Sequence, residues 1–277
     1  MKPRSVLAAL MFVSTATNAA PPTLRAQGAL GYDSNVGNAR QGAHQREDGF
    51  AELDASAERI WSLDANNALQ GRVGIDTQAF SRYEALDSAK PSLQLRYLLR
   101  PGAGFYAPLL ALSASAAWWE FNSRLRDGAG YRASAFVHEQ ITTRISARVS
   151  GTLDWRQSIG EVFDLRTRSL GIDLDWALAN RFAVYAGFQR RWGQFTSTRP
   201  EGAAYPGGDT IYEDDDAFAG EEVLRLHGAA NITTTGFNYA LTPNLSLDVQ
   251  GLFVETGAST GVHYRRIQSV ASLLARF

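Results

Sequence analysis

The sequence predicts an all-β protein, a closed antiparallel transmembrane β-barrel of about twelve strands in up-and-down order. Three observations favour this fold class. Apolar and polar residues alternate with a period of two in segments of about ten residues, short and long connections alternate along the chain, and aromatic residues gather near both ends of the segments. Membrane-spanning strands of ~10 residues with short turns on one side and longer loops on the other are typical of outer-membrane barrels.

Residues 1–19 are predicted to be a signal peptide. Lys2 and Arg4 precede the apolar run VLAALMFV, residues 6–13, and small residues follow it. This is the order of a secretory signal peptide. We expect cleavage after Ala19, which leaves residues 20–277 as a single outer-membrane β-barrel domain. No later stretch approaches the ~18 apolar residues that indicate a membrane helix.

The stretch RISARVSGTLDWR, residues 144–156, shows the alternation most clearly. Its odd positions, from Ile145 to Trp155, are apolar or small, and its even positions are polar or charged. Successive side chains of a strand leave opposite faces of the sheet. The apolar face is therefore predicted to contact lipid, and the charged face to line the interior of the barrel.

The same alternation recurs along the whole chain. The segment 224–240 changes phase near the ITTT run at 232–235, which predicts a β-bulge there. The twelve predicted strands are 24–32, 50–60, 69–79, 93–99, 110–118, 131–137, 145–155, 170–176, 182–188, 224–240, 245–253 and 267–277.

The connections alternate in length, which a soluble β-sandwich gives no reason to expect. Tight turns are predicted at 63–67, 100–104, 139–143, 178–180 and 241–244, and longer loops at 34–48, 84–91, 122–130, 157–166, 194–222 and 256–262. Short turns predict the periplasmic side and long loops the cell exterior. Two aromatic belts are predicted: Trp61, Phe105, Trp176, Phe182 and Tyr239 near the short turns, and Trp118, Tyr131, Trp155, Trp192 and Tyr264 near the long loops.

Composition excludes several classes of function. The chain has 27 basic and 28 acidic side chains, whereas a nucleic-acid-binding protein normally shows a basic excess or patch. It has no cysteine, which excludes disulfides and cysteine-ligated zinc. We predict no cofactor, no metal site and no nucleic-acid partner.

The inner face is predicted to be polar and balanced in charge, with nine basic and nine acidic side chains. The predicted pore-lining residues are Arg25, Arg72, Arg96, Arg132, Arg148, Arg156, Asp173, Asp175, Arg191 and Glu58. A regular hairpin between residues 144–156 and 167–177 places Arg148 opposite Asp175 and Ser150 opposite Asp173. Glu58 is expected opposite or diagonal to Arg72, so that the charges pair across strands.

The residue patterns give less support to a catalytic function than to a barrel without catalytic residues. His138 is followed by Glu139 and lacks the His-x-Ser pattern of an outer-membrane phospholipase, while His227 and the acidic run 214–216 have the residue types of a protease site at the outer rim. The run 213–222 has oxygen ligands for Ca²⁺ but not the spacing of a calcium-binding loop. We predict no catalytic residues, and we do not predict an enzyme.

Two segments resemble known families. GYDSNVGNAR, residues 31–40, resembles a first-strand signature of bacterial β-barrel porins and of the barrel domain of surface lipoprotein assembly modifiers, and residues 259–266 with the final Phe277 are similar to their closing segment. Lipoprotein assembly modifiers also carry helical repeats before the barrel, whereas here the first strand directly follows the predicted signal peptide. Asp33 and Asn35 also suit a structural role, because Asx side chains cap a strand that turns into a loop.

The resemblance implies a Gram-negative outer-membrane location. It implies contact with outer-membrane lipid and lipopolysaccharide, and recognition of residues 267–277 by the barrel-assembly machinery. The expected function is a narrow channel or a component of envelope secretion or polysaccharide export. The alternatives are a cell-surface barrel enzyme, either a protease or a lipid hydrolase, and an adhesion barrel that binds a partner through residues 194–222.

Overall fold

The structure, a computed structural model of the chain, describes residues 21–40, 42, 45–203 and 211–277. The predicted signal peptide lies outside the described residues, as do parts of the predicted loops 34–48 and 194–222. Within these ranges the closed antiparallel barrel is confirmed, and each of the twelve predicted segments lies in a barrel strand.

The described chain forms thirteen strands, of which β10 is a short addition to the loop between β9 and β11. Each of the other twelve pairs with its chain neighbours, β9 pairs directly with β11, and β13 returns to β1. The strands are β1 (Thr23–Asp33), β2 (Asp48–Ser62), β3 (Asn67–Phe80), β4 (Ser88–Leu99), β5 (Leu109–Phe121), β6 (Gly128–Gln140), β7 (Ile145–Ser158), β8 (Leu165–Ala179), β9 (Phe182–Pro200), β10 (Ile211–Asp214), β11 (Glu221–Thr242), β12 (Leu245–Ala258) and β13 (His263–Arg276).

The pairing of β1 with β13 closes the sheet. It runs from Arg25 opposite Arg276 to Asp33 opposite Gln268, and Phe277 extends it with a backbone N–H that donates to the carbonyl of Leu24 at 2.9 Å. Lipid offers no hydrogen-bond partner to an open strand edge, so a membrane-spanning sheet has to close.

The outer surface of the barrel wall is apolar, as the alternation predicts. Leu30, Leu112 and Leu170 expose 70%, 61% and 60% of their surface. In a water-soluble protein, leucine side chains are mostly buried. In β7 the even-numbered residues pair with inward-facing residues of both neighbouring strands. The described residues contain no helix of the length and apolarity needed to cross a membrane.

The connections at one end of the barrel are longer than at the other, with one departure from the prediction. The connection between β4 and β5 spans residues 100–108, and the prediction of a tight turn there was wrong. Pro101 and Pro108 lie at its two ends, and proline has no N–H to continue a strand ladder. Three of the long loops contain a single 3₁₀ turn: Glu84–Leu86, Arg124–Arg126 and Glu161–Phe163.

The bulge predicted at 232–235 was wrong. Strand β11 pairs without interruption with β12 from Gly228 to Ala240, and the register shifts only beyond Ala240, next to the turn. The apolar pattern changes phase because Ala230 and Ile232 point into the barrel and are buried there. The interior surface changes in polarity along this strand, whereas the backbone stays regular.

Candidate pore and its lid

The barrel encloses a cavity of about 870 Å³. Six of the ten residues predicted to line a pore border it: Arg72, Arg132, Arg148, Arg156, Asp173 and Arg191. The other four, Arg25, Glu58, Arg96 and Asp175, lie on the same inward face but nearer the short-turn end of their strands.

One side of the cavity, formed by β3 to β8, carries charged side chains that pair between neighbouring strands. The salt bridges are Arg132–Asp154 at 2.5 Å, Arg148–Asp173 at 3.0 Å, Lys90–Asp76 at 3.1 Å and Arg72–Asp54 at 3.4 Å, and Arg25–Glu58 at 3.4 Å continues the series on β1 and β2. Lys90 was missed because the alternation predicts the start of its strand at residue 93, whereas β4 begins at Ser88. With Lys90, the predicted inner-face set has ten basic and nine acidic side chains.

The predicted register between β7 and β8 was wrong by two residues. Arg148 lies opposite Asp173, and Ser150 lies opposite Gly171. The 3₁₀ turn Glu161–Phe163 makes a six-residue loop between Ser158 and Leu165, and this loop sets the pairing.

Across the turn between β2 and β3 the predicted register is confirmed, because Glu58 lies opposite Arg72. The salt bridges, however, run diagonally. Arg72 pairs with Asp54 on the same neighbouring strand, and Glu58 pairs with Arg25 on β1.

Near the long-loop end, arginines stack on aromatic rings inside the barrel. The guanidinium carbon of Arg156 lies 5.1 Å from the ring centre of Trp119 and 5.4 Å from that of Phe121. Its Nη2 donates to the carbonyl oxygen of Arg126 at 2.7 Å. Trp119 itself lies across Gly130, where a Cβ atom would overlap the indole ring, so glycine at this position makes room for the aromatic side chain.

The opposite side of the cavity contains an apolar sector. Phe195 of β9, Ala230 and Ile232 of β11, and Leu252 and Val254 of β12 pack together and line the lumen. The predicted polar inner face is therefore wrong for this sector of the lumen. The phase change in residues 224–240 is the sequence signal that could have revealed this apolar sector.

One predicted belt residue also belongs to the interior. Tyr264 exposes only 4% of its surface and lines the cavity, so its assignment to the outer aromatic belt was wrong. Trp118, Tyr131 and Trp155, by contrast, are exposed at the long-loop end, where the belt was predicted.

The described residues of the connection between β9 and β11 reach across the mouth of the barrel. Phe218 in this connection packs edge-on against Tyr83 in the β3–β4 loop, with ring centres 5.1 Å apart. Four barrel strands separate the two hairpins in either direction, so they are diametrically opposite. We call the described part of this connection, residues 211–220, the lid.

Ion pairs attach the lid and the adjoining start of β11 to other parts of the barrel. Asp215 pairs with Arg126 at 2.6 Å, and Asp216 accepts a hydrogen bond from the hydroxyl of Ser123 at 2.5 Å. Beside the lid, Glu221 pairs with Arg46 at 2.6 Å. Burial raises the pKa of Asp215, and the neighbouring Arg126 offsets only part of this effect. The acidic run considered as a calcium loop is thus engaged in lid contacts.

An apolar cluster lies beside the lid. Val162, Phe163 and Val223 are almost fully buried, and Leu125 and Ile211 pack against them. Arg126 links this cluster to the lid, because its guanidinium carbon lies 4.2 Å from the ring centre of Phe163 while its Nη2 binds Asp215.

The structural role expected of Asp33 and Asn35 is confirmed. The backbone N–H of Asn35 donates to Oδ1 of Asp33 at 3.0 Å. The Asn35 amide then bonds to the backbone of Ala39 through both its oxygen and its nitrogen, and Arg266 pairs with Asp33. The signature GYDSNV therefore fixes the turn from β1 into the first long loop.

The residue types of a rim protease are not brought together. No hydrogen bond joins His227 to Asp214, Asp215 or Asp216 among the described residues, and Asp215 is engaged by Arg126 instead. Nor do the described histidines and carboxylates form a cluster of three or more that could hold a metal ion.

Comparisons with known proteins support the fold. No protein-family profile matches the sequence, and no curated protein shows significant similarity to it. Among solved structures, an outer-membrane channel from Pseudomonas putida F1 is similar, with a TM-score of 0.54, 12% identity, and coverage of 96% of this chain and 100% of the other.

Two further solved structures are more distantly similar. The NanC porin has a TM-score of 0.46 and 8% identity, with coverage of 90% of this chain and 98% of the other. The DcaP channel of Acinetobacter baumannii has a TM-score of 0.44 and 8% identity, with coverage of 96% of this chain and 99% of the other. The closed antiparallel sheet, its apolar exterior and the likeness to the P. putida channel lead to one conclusion. The chain has the fold of the bacterial outer-membrane β-barrels.

Proposed function

We propose that this protein is a narrow outer-membrane channel for small amphipathic solutes, with a mouth that the lid closes. The observation that carries the proposal is the two-sided cavity, which is charged along β3 to β8 and has an apolar sector formed by side chains of β9, β11 and β12. A solute with one polar and one apolar face would contact both sides at once.

The outer membrane is the proposed location, with the long loops outside the cell. Outer-membrane barrels have short periplasmic turns and long external loops. This orientation places the lid at the extracellular mouth, where it can control entry.

The volume of the cavity favours a small solute. About 870 Å³ is within the range of pockets that hold small molecules. A folded protein or a polysaccharide chain would need a wider passage, so the cavity favours small-solute transport over secretion or polysaccharide export.

The paired charges of the wall favour weak ion selectivity. Each of Arg132, Arg148 and Lys90 has an acidic partner on a neighbouring strand. Rings of unpaired charge of one sign are what make a pore strongly selective. Selection would then come from the apolar sector and from the width of the cavity.

Planar-bilayer recordings and liposome swelling test the proposal. We expect small, weakly ion-selective conductance, and entry of an aryl glucoside at least as fast as that of the smaller glucose. Replacing Ile232 and Leu252 with serine should make glucose the faster solute. Arg126→Ala, which releases the lid, serves as the open reference. If neither the wild type nor this variant conducts, the channel proposal is wrong.

The terminal strand is proposed to be the segment that the barrel-assembly machinery recognises. Phe277 is 74% exposed and follows an alternating apolar strand. Deleting Phe277 should reduce the amount of folded barrel in the membrane, measured by heat-modifiable mobility, without changing processing of the signal peptide. Unchanged surface yield would contradict this role.

A further inference from the structure

The outward face of the barrel carries a cluster of three arginines near the long-loop end. Arg166 and Arg168 lie on β8 and Arg190 on β9, all three are exposed, and the register places Arg166 beside Trp155 and Arg168 beside Trp192. The odd-even alternation of these strands points all three away from the lumen, toward the outside of the barrel. We call them the arginine cluster.

The cluster has no acidic partner within salt-bridge distance among the described residues. Arg190 donates to the side-chain oxygen of Asn231 at 3.3 Å and lies 5.8 Å from the ring centre of Trp192. The nearest outward carboxylate along the register, Glu255, is bonded to Arg265 at 2.9 Å. The arginines of the inner wall differ in this respect, because most of them pair with a carboxylate on a neighbouring strand.

An apolar groove of about 720 Å³ begins at the cluster and continues into the lipid-facing wall. Arg168 and Trp192 border it at one end, and its floor and sides include Leu112, Ala133, Gly151 and Leu170. Small residues between larger ones create this depression in an otherwise leucine-rich surface. It has the shape and polarity to hold a hydrocarbon chain.

We propose that the arginine cluster and the groove together bind one lipopolysaccharide molecule of the outer leaflet. The guanidinium groups bind the phosphates of lipid A by charge-assisted hydrogen bonds, and one acyl chain lies in the groove. The position of the cluster at the long-loop end selects lipopolysaccharide as the source of the phosphate. That choice depends on the proposed orientation in the membrane, but not on whether the barrel conducts.

Native mass spectrometry of the purified, delipidated barrel in detergent tests the proposal with lipid A as the probe. The triple variant Arg166→Gln, Arg168→Gln, Arg190→Gln should need at least about tenfold more lipid A for half-saturation, the effect of losing even one charge-assisted contact. The matched control is Arg265→Gln, an outward arginine with its own acidic partner, and its binding should equal that of the wild type. An equal loss in the control, or no loss in the triple variant, would overturn the proposal.

Two further binding measurements distinguish the contribution of the headgroup from that of the acyl chain, and the binding of lipid A from that of a phospholipid. Gly151→Leu should weaken binding of lipid A but not of the deacylated bis-phosphorylated disaccharide, because a Cβ at Gly151 meets only an ordinary contact with Leu170 at 3.5 Å and the larger side chain fills the groove. Phosphatidylglycerol should bind at least tenfold more weakly than lipid A. Equal binding of the two lipids would overturn the choice of lipopolysaccharide. Heat-modifiable mobility verifies that each variant is folded, and the triple Arg→Lys variant, which keeps the charge, should retain most of the binding.

Discussion

The wall and the lid both use arginine–carboxylate pairs, but the pairs differ in what they connect and in how well they are shielded from water. In the wall, Arg148 and Asp173 join adjacent strands, and their side chains are 49% and 38% exposed. At the lid, Arg126 and Asp215 join two loops from different hairpins, and their side chains are 12% and 0% exposed.

This difference predicts separate roles. Exposed ion pairs contribute at most about 1 kcal/mol each, because water and salt screen them, so the wall pairs add little to a sheet already held by its backbone hydrogen bonds. Removing one partner of a buried pair leaves an uncompensated charge and costs about 3–5 kcal/mol. The lid pairs should therefore determine whether the mouth is open, whereas the wall pairs set the local charge of the lumen.

The largest effect is expected from Arg126→Ala. It removes the partner of buried Asp215 and the contact of the guanidinium with Phe163. A loss of about 3 kcal/mol shifts the open-to-closed ratio of the lid by more than about 100-fold. Single-channel recordings should show a higher open probability. Arg124→Ala, in the same 3₁₀ turn but exposed, is the control and should match the wild type; equal gating in both variants would refute the role of the pair.

A smaller effect is expected from Phe218→Leu. This change keeps an apolar side chain in the lid but removes the edge-on contact with Tyr83 and the ring facing Arg46. Such an aromatic contact contributes about 0.5–1.5 kcal/mol beyond burial. The open probability should rise by about three- to tenfold. An unchanged open probability would show that the lid is held by its ion pairs alone.

Acidification on the lid side should close the channel further. Burial raises the pKa of Asp215 above its usual 3.8, so the closed lid binds a proton more tightly than the open lid. The closed lid is therefore most stable at a pH below the usual pKa of the carboxyl group. It becomes less stable as the pH rises through the raised pKa of Asp215 in the closed lid. The open probability should fall as the pH drops from 7 towards 4. Asp215→Asn should remove this dependence, and persistence of the same pH response in that variant would assign it to another group.

The smallest effect is expected from Arg148→Gln in the wall. The pair with Asp173 is half exposed, so the free energy of unfolding should change by less than about 1 kcal/mol and the lid should gate as in the wild type. Reversal-potential measurements should show a modest shift towards cations, because Asp173 loses its partner. A large change in gating would mean that the wall pairs and the lid pairs are energetically coupled and do not have separate roles.

The strand set and the two faces of the sheet were predictable, because alternation follows from the geometry of an extended chain. The inward direction of Arg132, Arg148 and Asp173 needed only that rule and the location of the apolar face. The pairing partner of Arg148 was not predictable, since it depends on the conformation of residues 159–164. In this hairpin the loop contains one 3₁₀ turn, and every cross-strand pair of β7 and β8 lies two positions away from the predicted one.

The apolar sector shows a second limit. The phase change in residues 224–240 was interpreted as a bulge, under the assumption that apolar residues face lipid throughout the barrel. The packing of Ile232 and Leu252 beside Phe195 became visible only when the continuous register of β11 was known. The signal was present in the sequence as a change of phase, but a bulge and an apolar interior produce the same pattern.

The sequence by itself determined the barrel, because side-chain alternation and loop length are local properties that the chain carries without reference to distant residues. The tertiary structure decided which residues from distant hairpins meet: Phe218 with Tyr83 and Asp215 with Arg126 over the mouth, and Arg168 with Trp192 beside the groove. These contacts depend on closing the sheet. Closure brings residues far apart in the chain to one end or one side of the barrel, and no periodicity within a single strand records that meeting.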